Sequence, residues 1–175
     1  TNKNTDTNPV PTANNNTRVT KEDTPVSGNV LNGTDGDVAD SDPDGDPLTV
    51  IQIEIEGSIY PVPADGSNTT VNIPGKGTLV IDKTGSYTFT PIADWHGSVP
   101  PITYTLADGN GGTDTAVLNI TVTPVVDIAA DRTSTSYGVP VTINVFGNDS
   151  FENNDHVVTG VTQGTSGSVS FNPNG

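Results

Sequence analysis

From Gly77 to Thr123 the apolar residues fall on every second position. Leu79 and Ile81 alternate with Thr78, Val80 and Asp82, and Tyr87 and Phe89 alternate with Thr88 and Thr90. Ile102, Tyr104 and Leu106 alternate with Thr103 and Thr105; Ala116, Leu118, Ile120 and Val122 alternate with Val117, Asn119, Thr121 and Thr123. A period of two places one set on one face of a pleated strand, so each run predicts a strand with one buried and one wet face. No segment carries the stripe of an amphipathic helix. In Leu48–Glu56 the phase slips, with Leu48 and Val50 on one phase and Ile51, Ile53 and Ile55 on the other. A slip of one residue exchanges the two faces, which predicts a bulge or bend at Val50–Ile51. Asp82-Lys83-Thr84-Gly85 joins two runs and predicts a tight hairpin.

The chain also repeats itself. Laid over itself, Pro9, Val10, Pro25, Val26, Asn29 and Val30 fall on Pro124, Val125, Pro140, Val141, Asn144 and Val145. Further on, Gly77, Leu79, Ile81, Asp82 and Gly85 fall on Gly167, Val169, Phe171, Asn172 and Gly175, with about 25 residues missing in between. The expected organisation is a linker at 1–8, a complete unit at 9–123, and the N-terminal part of a second, incomplete unit at 124–175. The Asn-, Thr- and Pro-rich stretch 1–17 reads as an extended lead-in to the first strand. About seven short strands in ~100 residues predict an all-β, Greek-key sandwich of Ig-like or cadherin-like type, one complete repeat plus the first half of another. Trp95, set in Asp94-Trp95-His96-Gly97, reads as a packing plug and not as a platform for a ligand.

Charge changes this picture. Six basic residues face 21 acidic ones, for a net charge of −15. Such a chain is a poor partner for nucleic acid or an anionic membrane surface. No run of about 20 apolar residues predicts membrane insertion. There is no Cys, hence no disulfide. The chain begins on Thr1 and reads as a piece of a longer one.

The acidic residues are not spread evenly. Asp35, Asp37, Asp40, Asp42, Asp44 and Asp46 crowd one segment with no basic residue among them. Hard divalent cations take six to eight oxygens, and Ca²⁺ tolerates irregular cages. Asp alternating with Gly, Pro and Ser lets carboxylates and carbonyls converge, so Asp40, Asp42, Asp44 and Asp46 are candidate Ca²⁺ ligands. Asp35 and Asp37 read equally well as solvated. The competing reading of the whole run is a solvated acidic loop. Asp108-Gly-Asn-Gly-Gly-Thr-Asp114 is a second patch, with Asp108 its leading candidate, against a Gly-rich hairpin with Asx turns. Glu22-Asp23, ahead of the first strand, is a third. Loops cluster at the ends of a sandwich, so all three are expected to meet at one end.

Asp42–Asp46 resembles an EF-hand loop but lacks its terminal Glu and its flanking helices. Gly109–Val117 nearly fits a calcium β-helix nonapeptide, but one copy cannot stack. His96 and His156 fall in different units, and no nucleophile elbow, Walker A, H-E-x-x-H or Cys nucleophile occurs, so no enzyme is expected.

Four stretches carry a family resemblance: Glu22–Leu31 (EDTPVSGNVL), Asp42–Val50 (DPDGDPLTV), Gly85–Pro91 (GSYTFTP) and Thr103–Ala116 (TYTLADGNGGTDTA). In this order they resemble the bacterial cadherin-like and Ig-like tandem repeats of large type I-secreted RTX adhesins. The resemblance implies extracellular sandwich extender domains joined end to end, with Ca²⁺ held by Asp42, Asp44, Asp46, Asp108 and Glu22. It implies neighbouring repeats as partners, adhesion and biofilm formation as the role, and host or biofilm ligands bound by other domains. The second unit departs from the pattern: Tyr137 and Gly138 stand where Glu22 and Asp23 do, and its acidic loop shrinks to Asp149, Glu152 and Asp155. It also lacks counterparts of the strands carrying Tyr87, Tyr104 and Leu118; later sequence, a neighbouring chain, or the far side of an inserted domain in a split scaffold are the three expected sources. The rival readings are a carbohydrate- or peptide-binding adhesin domain using Trp95, and a hydrolase using two of the aspartates.

Overall fold

The computed structural model describes residues 8–151 and 155–175. Linker residues 1–7 and Glu152 lie outside the described residues. The chain divides into two compact units, Thr1–Pro124 and Val125–Gly175.

The first unit is a two-sheet sandwich. Its strands among the described residues are β1 (Asn16–Lys21), β2 (Val26–Asn29), β3 (Thr49–Ile55), β4 (Ser58–Pro61), β5 (Thr69–Ile73), β6 (Gly77–Ile81), β7 (Ser86–Pro91), β8 (Gly97–Ser98), β9 (Ile102–Ala107) and β10 (Thr113–Thr123). One sheet runs β1-β10-β9-β3-β4, with β8 also on β10; the other runs β2-β7-β6-β5. The chain crosses between sheets after β1, β2, β4 and β7, which gives the Greek-key order that the strand spacing predicts. β1 lies parallel to β10, while every other ladder is antiparallel.

The inward phase of each predicted run forms the core. Leu79, Ile81, Tyr87, Phe89, Ile102, Tyr104, Leu106, Leu118, Ile120 and Val122 are all buried. The predicted slip is a register shift between Val50 and Gln52 against β9. Val50 is 1% exposed and Ile51 40%, so the extra residue turns outward and Ile53 and Ile55 return to the core. The predicted hairpin closes with Gly85 N–H donating to the Asp82 carbonyl at 3.0 Å. Gly85 has φ +80°, a left-handed conformation, and a Cβ there would sit 2.8 Å from Leu31 Cγ, so both space and backbone require glycine.

The lead-in reading of residues 1–17 stops short of the structure. β1 begins at Asn16 and carries an inverted pattern: Asn16 and Arg18 are buried, while Val19 is 62% exposed. Asn16 Nδ2 donates to the Asn14 and Val30 carbonyls. The Arg18 guanidinium donates to Asp37 Oδ2 at 2.5 Å, to the Thr17 carbonyl at 2.6 Å and to the Thr34 carbonyl at 2.7 Å. Asp37 is therefore an ion-pair partner and not a wet residue.

In the second unit an isolated bridge joins Asp127 and Ser150, and no strand forms among the described residues. Val139, Val141, Ile143, Val169 and Phe171 keep a period of two but are exposed. Phe151 stacks on His156 with ring centroids 3.9 Å apart, and Phe146 packs edge-on against both.

Two predictions follow from this core. Phe89→Ala should cost about 3–5 kcal/mol in urea unfolding, whereas Ile51→Thr on the bulge should stay within about 0.5 kcal/mol. The Tyr87 hydroxyl is buried beside Arg18 without reaching hydrogen-bond geometry, and burial pushes its pKa from 10.0 up to about 12. Above pH 10 the unfolded chain gives up this proton before the folded one does, so stability should fall as pH rises from about 10 towards 12. Tyr87→Phe should shallow that alkaline limb in thermal melts.

Candidate metal centre at the acidic pole

Three pieces of chain meet at one end of the first sandwich: the β2–β3 connection, the β9–β10 turn, and residues 8–15 ahead of β1. In the first, Asp42 folds the loop on itself. Its Oδ1 accepts from the backbone N–H of Asp44 at 2.8 Å and of Asp46 at 3.1 Å. Gly45, at φ +79°, lets the chain turn there and donates to the Asp42 carbonyl at 3.2 Å. The winding brings one carboxylate oxygen each from Asp42, Asp44 and Asp46 within 4.8 Å of one another.

Asp42 Oδ2 is buried and has no hydrogen-bond partner. A buried anionic oxygen without a donor is among the costliest polar arrangements. A hard, all-oxygen donor set with one oxygen orphaned fits a cation such as Ca²⁺ and not a metal that prefers nitrogen or sulfur. Asp42, Asp44 and Asp46 are the residues that would hold it.

The other candidates are placed differently. Asp46 Oδ2 accepts from Asn110 Nδ2 at 2.6 Å, which ties the β9–β10 turn to the loop. Asp108 is buried and accepts from Asn8 Nδ2 at 2.7 Å, Asn110 N–H at 2.7 Å and Gly112 N–H at 3.0 Å. These donors, Asn8 foremost, hold its carboxyl below the ordinary 3.8. Asp40 Oδ1 accepts from Asn14 N–H at 2.6 Å and Oδ2 from the Tyr104 hydroxyl at 2.8 Å. Burial outweighs those bonds and raises its pKa. Asp114 Oδ2 accepts from Ala13 N–H at 2.8 Å.

Glu22 does not join this pole, contrary to the expectation that the three acidic patches meet. It follows β1 instead of preceding the first strand, and its N–H donates to the Thr123 carbonyl at the far end of β10. Because β1 is parallel to β10, Glu22 lies roughly 30 Å along the sheet from the β9–β10 turn. There it is buried, with Oε2 3.5 Å from His96 Nδ1. Asp23 is nearby, its Oδ1 accepting from Asp94 N–H at 3.0 Å. Trp95 packs partly buried against the core, with Lys76 Nζ 5.0 Å from its ring centroid.

Reading the sequence for acidic spacing picked out Asn110 within the second patch but missed Asn8 and Asn14, whose signal was only an abundance of Asn around residues 8–16. Arg18 was missed as well, because nothing in its place along the chain names Asp37 as its partner.

Two facing sheets in Greek-key order, a parallel pair of terminal strands and an Asp-rich pole define a cadherin-type sandwich domain, a structural or adhesion-related class of module. The chain belongs to the family described as bacterial cadherin-like domain, whose pattern matches residues 7–124. No curated protein matches it. Among solved structures it is similar to a nucleoside hydrolase-related hypothetical protein from Saccharophagus degradans that is associated with carbohydrate metabolism. The identity there is 21% and the TM-score 0.38, over 66% of this chain and 26% of that one, so this chain spans about a quarter of that protein.

The Asp108 geometry fixes a pH dependence. A carboxyl held below 3.8 in the folded state adds stability that is complete above that value and is lost as pH falls through the folded pKa. Asp108→Asn should therefore flatten the acid limb of the melting temperature against pH below about pH 4, read by circular dichroism.

Proposed function

We propose that this domain is a calcium-stabilised structural spacer of a secreted bacterial cell-surface adhesin, acting in cell adhesion and biofilm formation and not as an enzyme. The orphaned Asp42 Oδ2 within a three-carboxylate loop carries this reading. Ca²⁺ would take that oxygen together with Asp44 and Asp46, cancel their mutual repulsion, and fix the loop that leads into β3. Extracellular modules bind Ca²⁺ with Kd of about 10⁻⁴–10⁻³ M. A domain so tuned stays loose where calcium is scarce and sets firm outside the cell. Its partners are the neighbouring repeats of the same polypeptide. Trp95, packed partly buried against the core beneath Lys76 Nζ, speaks against the carbohydrate-binding rival, and carboxylates crowded within 4.8 Å of one another suit a cation better than a separated acid and base.

A calcium titration tests this. Adding 10 mM CaCl₂ to the chelated chain should raise the melting temperature by roughly 5–10 °C. Asp42→Asn or Asp44→Asn/Asp46→Asn should abolish most of that rise while leaving the far-ultraviolet spectrum unchanged. A melting temperature indifferent to EDTA would refute the reading.

A further inference from the structure

Hydrogen bonds that shape the pole of the first unit recur in the second, which has no ladder among its described residues. In the first, Leu31 N–H donates to Asn29 Oδ1 at 2.9 Å, Asp40 N–H to the Leu31 carbonyl at 2.9 Å, Asn14 N–H to Asp40 Oδ1 at 2.6 Å and Ser41 N–H to the Thr12 carbonyl at 3.0 Å. In the second, Phe146 N–H donates to Asn144 Oδ1 at 3.0 Å, Asp149 N–H to the Phe146 carbonyl at 3.4 Å, Ala129 N–H to Asp149 Oδ1 at 2.7 Å and Ser150 N–H to the Asp127 carbonyl at 3.0 Å. The hairpin turn recurs too. Gly175 N–H donates to the Asn172 carbonyl at 3.0 Å, as Gly85 N–H does to that of Asp82, and a Cβ on Gly175 would meet Phe146 as one on Gly85 would meet Leu31.

These contacts fix an alignment through the loop where the repeat slips. Nine positions separate Leu31 from Asp40 and three separate Phe146 from Asp149, so the second loop is six residues shorter. Asp40 and Ser41 answer to Asp149 and Ser150, and the next position pairs Asp42 with Phe151. Arg18 answers to Thr133, and neither Gly147 nor Asn148 supplies the carboxylate of Asp37, so both members of the buried ion pair are replaced together.

The exchange at Asp42 changes the chemistry of the pole. In the first unit that position holds a buried carboxylate oxygen that no donor reaches. In the second it holds a ring, stacked on His156 at 3.9 Å between centroids, with Phe146 edge-on to Phe151 at 5.3 Å and to His156 at 4.9 Å. A phenyl ring offers a hard cation no oxygen, and ring contacts of this kind stabilise without a counter-ion.

We propose that the second unit closes its pole with the Phe146–Phe151–His156 ring cluster in place of a cation, so that calcium acts on the first unit and not on the second. The Ca²⁺ that the family implies does not fit at Phe151. The contrast between the units rests on the calcium reading of the first; the ring closure of the second does not.

NMR on the whole chain tests both parts. Adding 10 mM CaCl₂ should move the amide signals of Asp44, Gly45 and Asp46 and leave those of Ala129, Asp149 and Ser150 in place. Calcium that still moves the latter three in Asp42→Asn, where the first loop is disabled, overturns the proposal. In calcium-free buffer Phe151→Ala should speed hydrogen exchange at Ala129 and Ser150 roughly tenfold, whereas Phe151→Leu, which keeps apolar bulk, should speed it less. Leu79 in β6 should exchange at the same rate in both variants, which shows that the first unit is intact. Exchange at Ala129 and Ser150 that is indifferent to Phe151→Ala overturns the ring closure. A wild-type chain that binds no calcium refutes the calcium reading of the first unit and with it the contrast, while the Phe151 variants still decide the ring closure.

Discussion

Carboxylates gathered at one end of a small sandwich repel one another, and each must find a donor or a cation. The fold solves this one residue at a time. Asp37 takes Arg18, Asp108 takes the turn amides and Asn8, Asp114 takes Ala13, and Asp40 takes Asn14 and Tyr104. In the Asp42–Asp46 loop Asp46 takes Asn110, and the backbone N–H groups of Asp44 and Asp46 satisfy Asp42 Oδ1 but leave its Oδ2 bare. The placement of the chain ahead of β1, the path of the β2–β3 connection and the closure of the β9–β10 turn all follow from this distribution of donors. It also singles out Asp42 Oδ2 as a buried carboxylate oxygen that no donor reaches, which spacing along the chain does not.

Much of the sandwich could be read beforehand because Thr and aliphatic residues alternate cleanly from Gly77 to Thr123, and because the slip at Val50–Ile51 has only one geometric meaning in a strand. β1 escaped for the opposite reason. Its inward positions are Asn16 and Arg18 and its outward ones include Val19, so a rule that seeks apolar residues on the buried face finds none. Burying Asn16 and Arg18 is tolerable only because carbonyls of Asn14, Val30, Thr17 and Thr34 surround them, and those partners are set by tertiary structure.

The candidate site was legible in part. The Asp42–Asp46 alternation with Gly45 pointed to a loop that gathers carboxylates, and it does. That Glu22 belongs to the other end was not legible, because the direction of β1 relative to β10 is a property of the topology and not of either segment. The second unit makes the same point from the other side. Its residues keep the alternation at Val139, Val141 and Ile143, yet no ladder forms among its described residues, because a period of two specifies which face a strand would bury and not the neighbour it needs.

The parallel pairing of β1 with β10 has a mechanical side. The chain comes in at the acidic end and runs up β1, then leaves from the opposite end of β10, so a pull on the two ends of this domain is directed along both strands in opposing senses. The ladder from Asn16–Leu118 to Lys21–Thr123 then meets the load in shear, with its hydrogen bonds strained together instead of parted one after another as in an unzipping hairpin. A module joined to its neighbours through these two strands resists extension with the whole ladder at once.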